Sequence, residues 1–132
     1  MPVQVEMVLR LLLAATLGAI IGYQRERAGK PAGLRTNVII CVGAALFTIT
    51  GILGFTGSDP ARIAAGIVTG IGFLGAGAIL HREGGIVAGL TTAATIWSVA
   101  AIGLAAGTGL YVIATVAAAI ILIMLFLPHP IR

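Results

Sequence analysis

The stretch VEMVLRLLLAATLGAIIGYQRERAGKP, residues 5–31, decides the fold class. Nineteen mostly apolar residues, 5–23, run directly into Arg25, Arg27 and Lys30, and Pro31 closes the segment. A helix that crosses the hydrocarbon core of a bilayer needs about 20 such residues. A basic cluster just beyond it is the usual mark of the end held on the cytoplasmic side. Met1 to Glu6 carry no basic residue ahead of the apolar run, so the expectation is an uncleaved first span and not a signal peptide.

The rest of the chain repeats the pattern. Four further apolar runs lie at about residues 34–55, 62–80, 89–106 and 110–127. They are separated by Thr56-Gly57-Ser58-Asp59-Pro60, by His81-Arg82-Glu83-Gly84-Gly85 and by Gly107-Thr108-Gly109. Ser58 or Asp59 followed by Pro60 reads as an N-cap oxygen and a proline at the first helical position. The last break is short. One helix over residues 89–127 would be far too long for a core about 30 Å thick, so a hairpin turning at the glycines is expected.

The expected architecture is therefore an all-α integral membrane protein, a single domain of five transmembrane helices. The composition agrees: 59% of the 132 residues are hydrophobic and 9% are charged, and the mean hydropathy is +1.14. A water-facing domain carries about 25% charged residues. Orientation follows from the basic residues. Arg25, Arg27, Lys30, Arg35, Arg82 and Arg132 fall on one side, Arg10 and Arg62 on the other. This bias places the N-terminus outside and the C-terminus in the cytoplasm. It also argues against insertion in both orientations. The net charge of +4 is explained by membrane orientation, and no nucleic-acid partner is expected.

Helices in lipid associate through close packing and interhelical hydrogen bonds. The 19 glycines include four-residue pairs at Gly18/Gly22, Gly66/Gly70 and Gly103/Gly107. A monomer or a homo-oligomer could use such faces equally well. Gly70, Gly72, Gly75 and Gly77 make the third span denser in glycine than packing requires. Either this span makes a very close helix crossing, or it is kinked and its freed backbone lines a cavity.

Polar residues at depth are the candidate functional positions. Glu6 and Arg10, four apart, are placed to pair. The 24–27 and 33–37 blocks, expected as the first cytoplasmic loop and the start of the second span, contain Arg25, Glu26, Arg35, Thr36 and Asn37. Arg35 at the start of the second span could hold an anion at a helix N-terminus: a lipid phosphate, a partner's carboxylate, or Glu26 of the same chain. Thr91, Thr92 and Thr95 open the fourth span ahead of Trp97, and hydroxyls there can bond preceding-turn carbonyls or cross to another helix. Cys41 is a lone cysteine in an apolar run, expected as a small buried hydrophobe. His81 and His129 lie far apart, no nucleophile–base set exists, and Glu26 and Glu83 could touch a divalent cation only weakly. Neither an enzyme, nor a cofactor, nor a metal site is expected.

Gly22-x-Gln24-Arg25-Glu26, Ala32-Gly33-Leu34-Arg35-Thr36-Asn37, Arg62-Ile63-Ala64-Ala65, the 70–77 block and Gly89-Leu90-Thr91-Thr92-Ala93-Ala94-Thr95-x-Trp97 together resemble the MgtC/SapB family over residues 8–127. The resemblance implies a bacterial inner-membrane protein with five spans and an external N-terminus, linked to growth under low magnesium and to survival inside host cells. It further implies a regulator whose partner is a membrane protein such as ATP synthase or a magnesium transporter. Two positions depart from the family pattern: an acidic residue is usual at Gln24 and a glutamine is common at Gly66. The soluble C-terminal domain of many members is not seen here. The functional expectation is a non-enzymatic modulator of a partner or of ion homeostasis. The alternative is a small oligomeric ion channel or transporter with a path along the third span, past Thr91, Thr92, Asn37 and Arg35.

Overall fold

The computed structural model describes residues 2–55, 57, 59–80 and 89–127. Its elements in chain order are α1 (Val3–Arg27), α2 (Leu34–Leu53), α3 (Pro60–Leu80), α4 (Leu90–Thr108) and α5 (Tyr111–Phe126). The first four are long and apolar enough to cross a bilayer; α5, at 16 residues, is shorter. The elements alternate in direction. We refer to the two ends of the bundle as the Arg10 end, where α1 starts, and the Arg25 end, where it finishes.

Local chemistry sets the boundaries. Gln24-Arg25-Glu26-Arg27 contains no helix breaker, so α1 continues through residues expected to be loop. At 25 residues and 1.5 Å per residue it is about 38 Å long, longer than a hydrocarbon core. It stops at a Schellman motif: Gly29 takes φ 71°, its N–H donates to the Glu26 carbonyl, and the Lys30 N–H donates to the Arg25 carbonyl. At the start of α3, Asp59 Oδ1 accepts from the Ala61 N–H at 3.0 Å, as the Asp-Pro signature implies. The α4–α5 hairpin turns at Gly109, with φ 91°, and the Leu110 N–H donates back to the Ala105 carbonyl. Gly107 still belongs to α4.

The core is built around α1, α2 and α4. Ala14, Leu17, Ile21, Cys41, Ala45, Val99, Ile102 and Ala106 are buried together, with Cys41 a free thiol among them. Helix α5 packs on α1 and α4, whereas α3 touches only α2 and α4. Two of the three glycine pairs make this packing possible. A Cβ at Gly18 would lie 2.8 Å from the Asn37 carbonyl oxygen, and one at Gly22 2.7 Å from the Leu34 Cα. On α4, a Cβ at Gly103 would come within 2.2 Å of the Cys41 carbonyl oxygen, and one at Gly107 within 2.8 Å of the Ala45 carbonyl oxygen. Helices α1 and α4 thus both approach α2 through glycine.

The third span is neither broken at its glycines nor closely crossed through them. Helix α3 is continuous through 70–77, without a break that would free backbone groups. Nor do its glycines serve a close crossing: a Cβ at Gly66, Gly70, Gly72 or Gly77 would meet nothing within 4 Å, and one at Gly75 would reach only ordinary contact with Ala93, 3.7 Å from its Cβ and 3.9 Å from its carbonyl oxygen. Helical hydrogen bonds outweigh the roughly 1 kcal/mol propensity cost of each glycine, and α3 packs too loosely to need close contact. It follows that Gly66→Ala and Gly70→Ala should leave stability unchanged or raise it by up to about 1 kcal/mol each, as read by reversible unfolding in mixed micelles.

Candidate functional site

Polar side chains gather at both ends of the bundle, with the apolar core between them. At the Arg10 end, Arg10 Nε pairs with Glu6 Oε2 at 3.2 Å, as the four-residue spacing implies. The cluster extends beyond that pair. Arg10 Nη1 donates to the Gly107 carbonyl at 2.9 Å, placing a cation at the C-terminus of α4, where the helix dipole favours it. The Tyr111 hydroxyl bonds Glu6 Oε2. These contacts join positions about a hundred residues apart, and only an aromatic residue at the head of the last span hinted at them.

At the Arg25 end, the last turn of α1 meets the first turns of α2 and α4. Arg25 was expected in a loop. It lies instead on the last turn of α1, buried to 4% exposure, because the helix runs on to Arg27. Its Nη2 donates to Thr92 Oγ1 at 3.0 Å, and its buried Nε has no partner.

Glu26, one position on, faces outward and accepts the Leu34 N–H on Oε1 at 3.0 Å. The carboxylate thereby sits at the N-terminus of α2, satisfying one of the free donors there. Of the three occupants considered for this helix start, the chain's own Glu26 is the one found. Arg35 and Thr36, exposed on the outer face of α2, do not hold it. Glu26→Ala should therefore cost about 1 kcal/mol, in the range of other lost helix caps, whereas Arg35→Ala should cost close to nothing; unfolding of the two variants in micelles compares them.

Asn37 is fully buried. Its Nδ2 donates to the carbonyls of Ala32 and Gly33, each at 2.8 Å, and its Oδ1 has no partner. Ala32 adopts φ 58°, a left-handed conformation uncommon outside glycine, and Asn37 clamps the carbonyl that follows from it. Gln24 Nε2 reaches the Leu125 carbonyl on α5 at 3.3 Å. The Gln24–Leu125 bond and the Arg25–Thr92 bond, 101 and 67 positions apart, could not be read from spacing.

The remaining candidates disperse. Thr92 and Thr95 are buried while Thr91 is exposed, and the Thr95 hydroxyl donates to the Thr91 carbonyl at 2.8 Å. Trp97, 58% exposed, borders a shallow groove between α3 and α4 with Gly72 and Gly75. Gly66 and Gly70 line a larger apolar groove of about 650 Å³ between α2 and α3, walled by Ile39, Phe47, Ile63 and Leu74, with Arg62 at one end. Gly77 faces open space. Among the described residues no three His, Cys, Asp or Glu side chains gather as metal ligands. His81, Arg82, Glu83, His129 and Arg132 lie outside the described residues.

A family model described as the MgtC family matches residues 11–132. The chain is 53% identical over 114 residues to the Escherichia coli K12 protein named "Putative magnesium transporter YhiD", covering 80% of this chain and 53% of that protein. It is 48% identical over 117 residues to Protein MgtC of Brucella abortus strain 2308, covering 89% of this chain and 49% of that one. A protein of Synechocystis, slr0014, is 50% identical over 106 residues, or 80% of this chain and 45% of that protein. The chain thus spans about half the length of the curated relatives it matches. No solved structure matches it.

Proposed function

Given that the chain belongs to the MgtC family, we propose that it is a non-enzymatic, multi-pass protein of the bacterial inner membrane that modulates a membrane partner during adaptation to low magnesium. Its N-terminus lies outside, its C-terminus lies in the cytoplasm, and α5 forms the fifth span. Family membership and the names of the relatives support the link to magnesium. The basic residues Arg25, Arg27, Lys30 and Arg35 at one end support the orientation.

One observation carries the choice of modulator over transporter. Between the polar clusters at the two ends, the interior of α1, α2 and α4 is filled by Ala14, Leu17, Cys41, Val99 and Ile102, so the described core has no continuous polar lining for a hydrated ion. An ion path needs carbonyls, charged rings or water along its length. The partner would be ATP synthase or a magnesium transporter, met through the uncovered face of α3.

The experiment is co-purification from native membranes. Tagged wild-type chain should enrich subunits of ATP synthase or a magnesium transporter over an unrelated five-helix control, and Gly70→Leu, which fills the α2–α3 groove, should cut that enrichment at least about tenfold, or 1.4 kcal/mol. Equal recovery with the control protein would overturn the reading.

A second reading is favoured by the name of the Escherichia coli relative: copies of the chain assemble with their α3 faces together and conduct between subunits. It differs from the first in requiring flux.

A further inference from the structure

We propose that Arg25 and the first turn of α4 together form a binding site for a phosphate-type oxyanion. Arg25 is 4% exposed, yet its described hydrogen-bond partner is the neutral Thr92 hydroxyl at 3.0 Å, and its buried Nε is unpartnered. Arg10 and Glu6 form the ion pair found among the described residues, so no described carboxylate neutralises Arg25. Buried charges are ordinarily paired.

The position compounds the anomaly. Thr92 stands on the first turn of α4, a helix of 19 residues whose start at Gly89 has no side-chain cap. The first described backbone bond of that helix is from the Ala93 N–H to the Gly89 carbonyl, and among the described residues the N–H groups of Leu90, Thr91 and Thr92 meet no acceptor. A helix N-terminus carries partial positive charge and favours anions; cations belong at the other end. Here a buried guanidinium meets that positive end.

The two other helix starts near charged residues follow the ordinary rule. Glu26 supplies a carboxylate to α2, and Asp59 supplies one to α3. Helix α4 alone among these three meets a buried guanidinium and has no described carboxylate at its start.

An oxyanion resolves both sides of the conflict. A guanidinium presents planar N–H donors suited to two oxygens of one phosphate, and helix N–H groups supply donors to another. Thr92 Oγ1 fixes the guanidinium for that task, so Thr92 is a positioning residue. The phosphate could belong to an anionic phospholipid headgroup or be free in the aqueous phase; both present the same chemistry.

The test uses the full chain, purified in a neutral detergent. Its thermal midpoint is followed while inorganic phosphate replaces chloride at constant ionic strength, and separately in nanodiscs of phosphatidylcholine with and without phosphatidylglycerol. Occupancy at about ten times the dissociation constant should raise the midpoint by about 3–6 °C. A rise with inorganic phosphate identifies a soluble anion, and a rise confined to phosphatidylglycerol discs identifies a lipid. Arg25→Gln should abolish the rise, and Thr92→Val should shift the half-saturating concentration upward about tenfold. Arg27→Gln and Arg35→Gln, which change exposed cations, should leave it intact. Should Arg25→Gln fail to fold, the Thr92→Val shift decides. No response of the wild type to either source, or an undiminished response in Arg25→Gln, overturns the proposal. So does an unresponsive wild type that Glu83→Gln destabilises, which would make a carboxylate of the chain the partner.

Discussion

Gly103→Ala should destabilise the bundle by about 1–3 kcal/mol, the usual cost of forcing a methyl group into a filled interior. The new Cβ would lie 2.2 Å from the Cys41 carbonyl oxygen and 2.9 Å from the Ala44 Cβ. Neither neighbour is the free end of a flexible side chain. Cys41 and Ala44 sit on α2, which is also held against α1 at Gly18, so relief requires α4 to move away from α2. That displacement would also separate Gly107 from Ala45, because both glycines lie on one face of α4. The variant should unfold at lower denaturant than wild type in mixed micelles, while Gly70→Ala on α3 should not. Equal behaviour of the two would show that close approach between α2 and α4 contributes nothing.

Asn37→Asp should rank with it, at about 2–3 kcal/mol for two charge-free hydrogen bonds lost at a buried site. The substitution preserves shape but removes the donor. In wild type, Nδ2 holds the Ala32 and Gly33 carbonyls at 2.8 Å each; in the variant a carboxylate oxygen would face both. Ala32, at φ 58°, would lose the bond that holds its carbonyl in place. The 28–33 segment should then open locally before the bundle unfolds, and trypsin cleavage after Arg27 should accelerate relative to wild type. Unchanged proteolysis together with unchanged unfolding would contradict the role assigned to Asn37.

How much of this was legible in the sequence depends on the range of the interaction. The existence of five apolar helices, the Asp59-Pro60 helix start, the Glu6–Arg10 pair and a turn at the glycines before the last helix rest on contacts within a few residues, and each is present, though α1 runs four residues past the apolar stretch and Gly107 stays in α4. The glycine pairs were legible only as a possibility. Gly18/Gly22 and Gly103/Gly107 have the same spacing as Gly66/Gly70, and spacing does not reveal that the first two pairs face α2 while the third faces a groove. Arg25 was misread because a basic residue after an apolar run looks like an anchor in solvent. Its burial depends on α1 extending past the core thickness and on α4 arriving with Thr92, 67 positions later. Tyr111 joining Glu6, and Gln24 reaching Leu125, have the same character: the chain brings them together, and no local pattern announces it.

The contrast between polar ends and an apolar middle is central to the functional reading, since it separates a protein that acts on a partner from one that passes ions. The most direct measurement is magnesium entry into proteoliposomes containing the purified chain, followed with an entrapped indicator under an inward gradient. A non-conducting bundle predicts entry no faster than in protein-free vesicles at any protein density. Saturable magnesium entry that rises with protein density and is lost in Gly70→Leu would contradict it and place the path along α3.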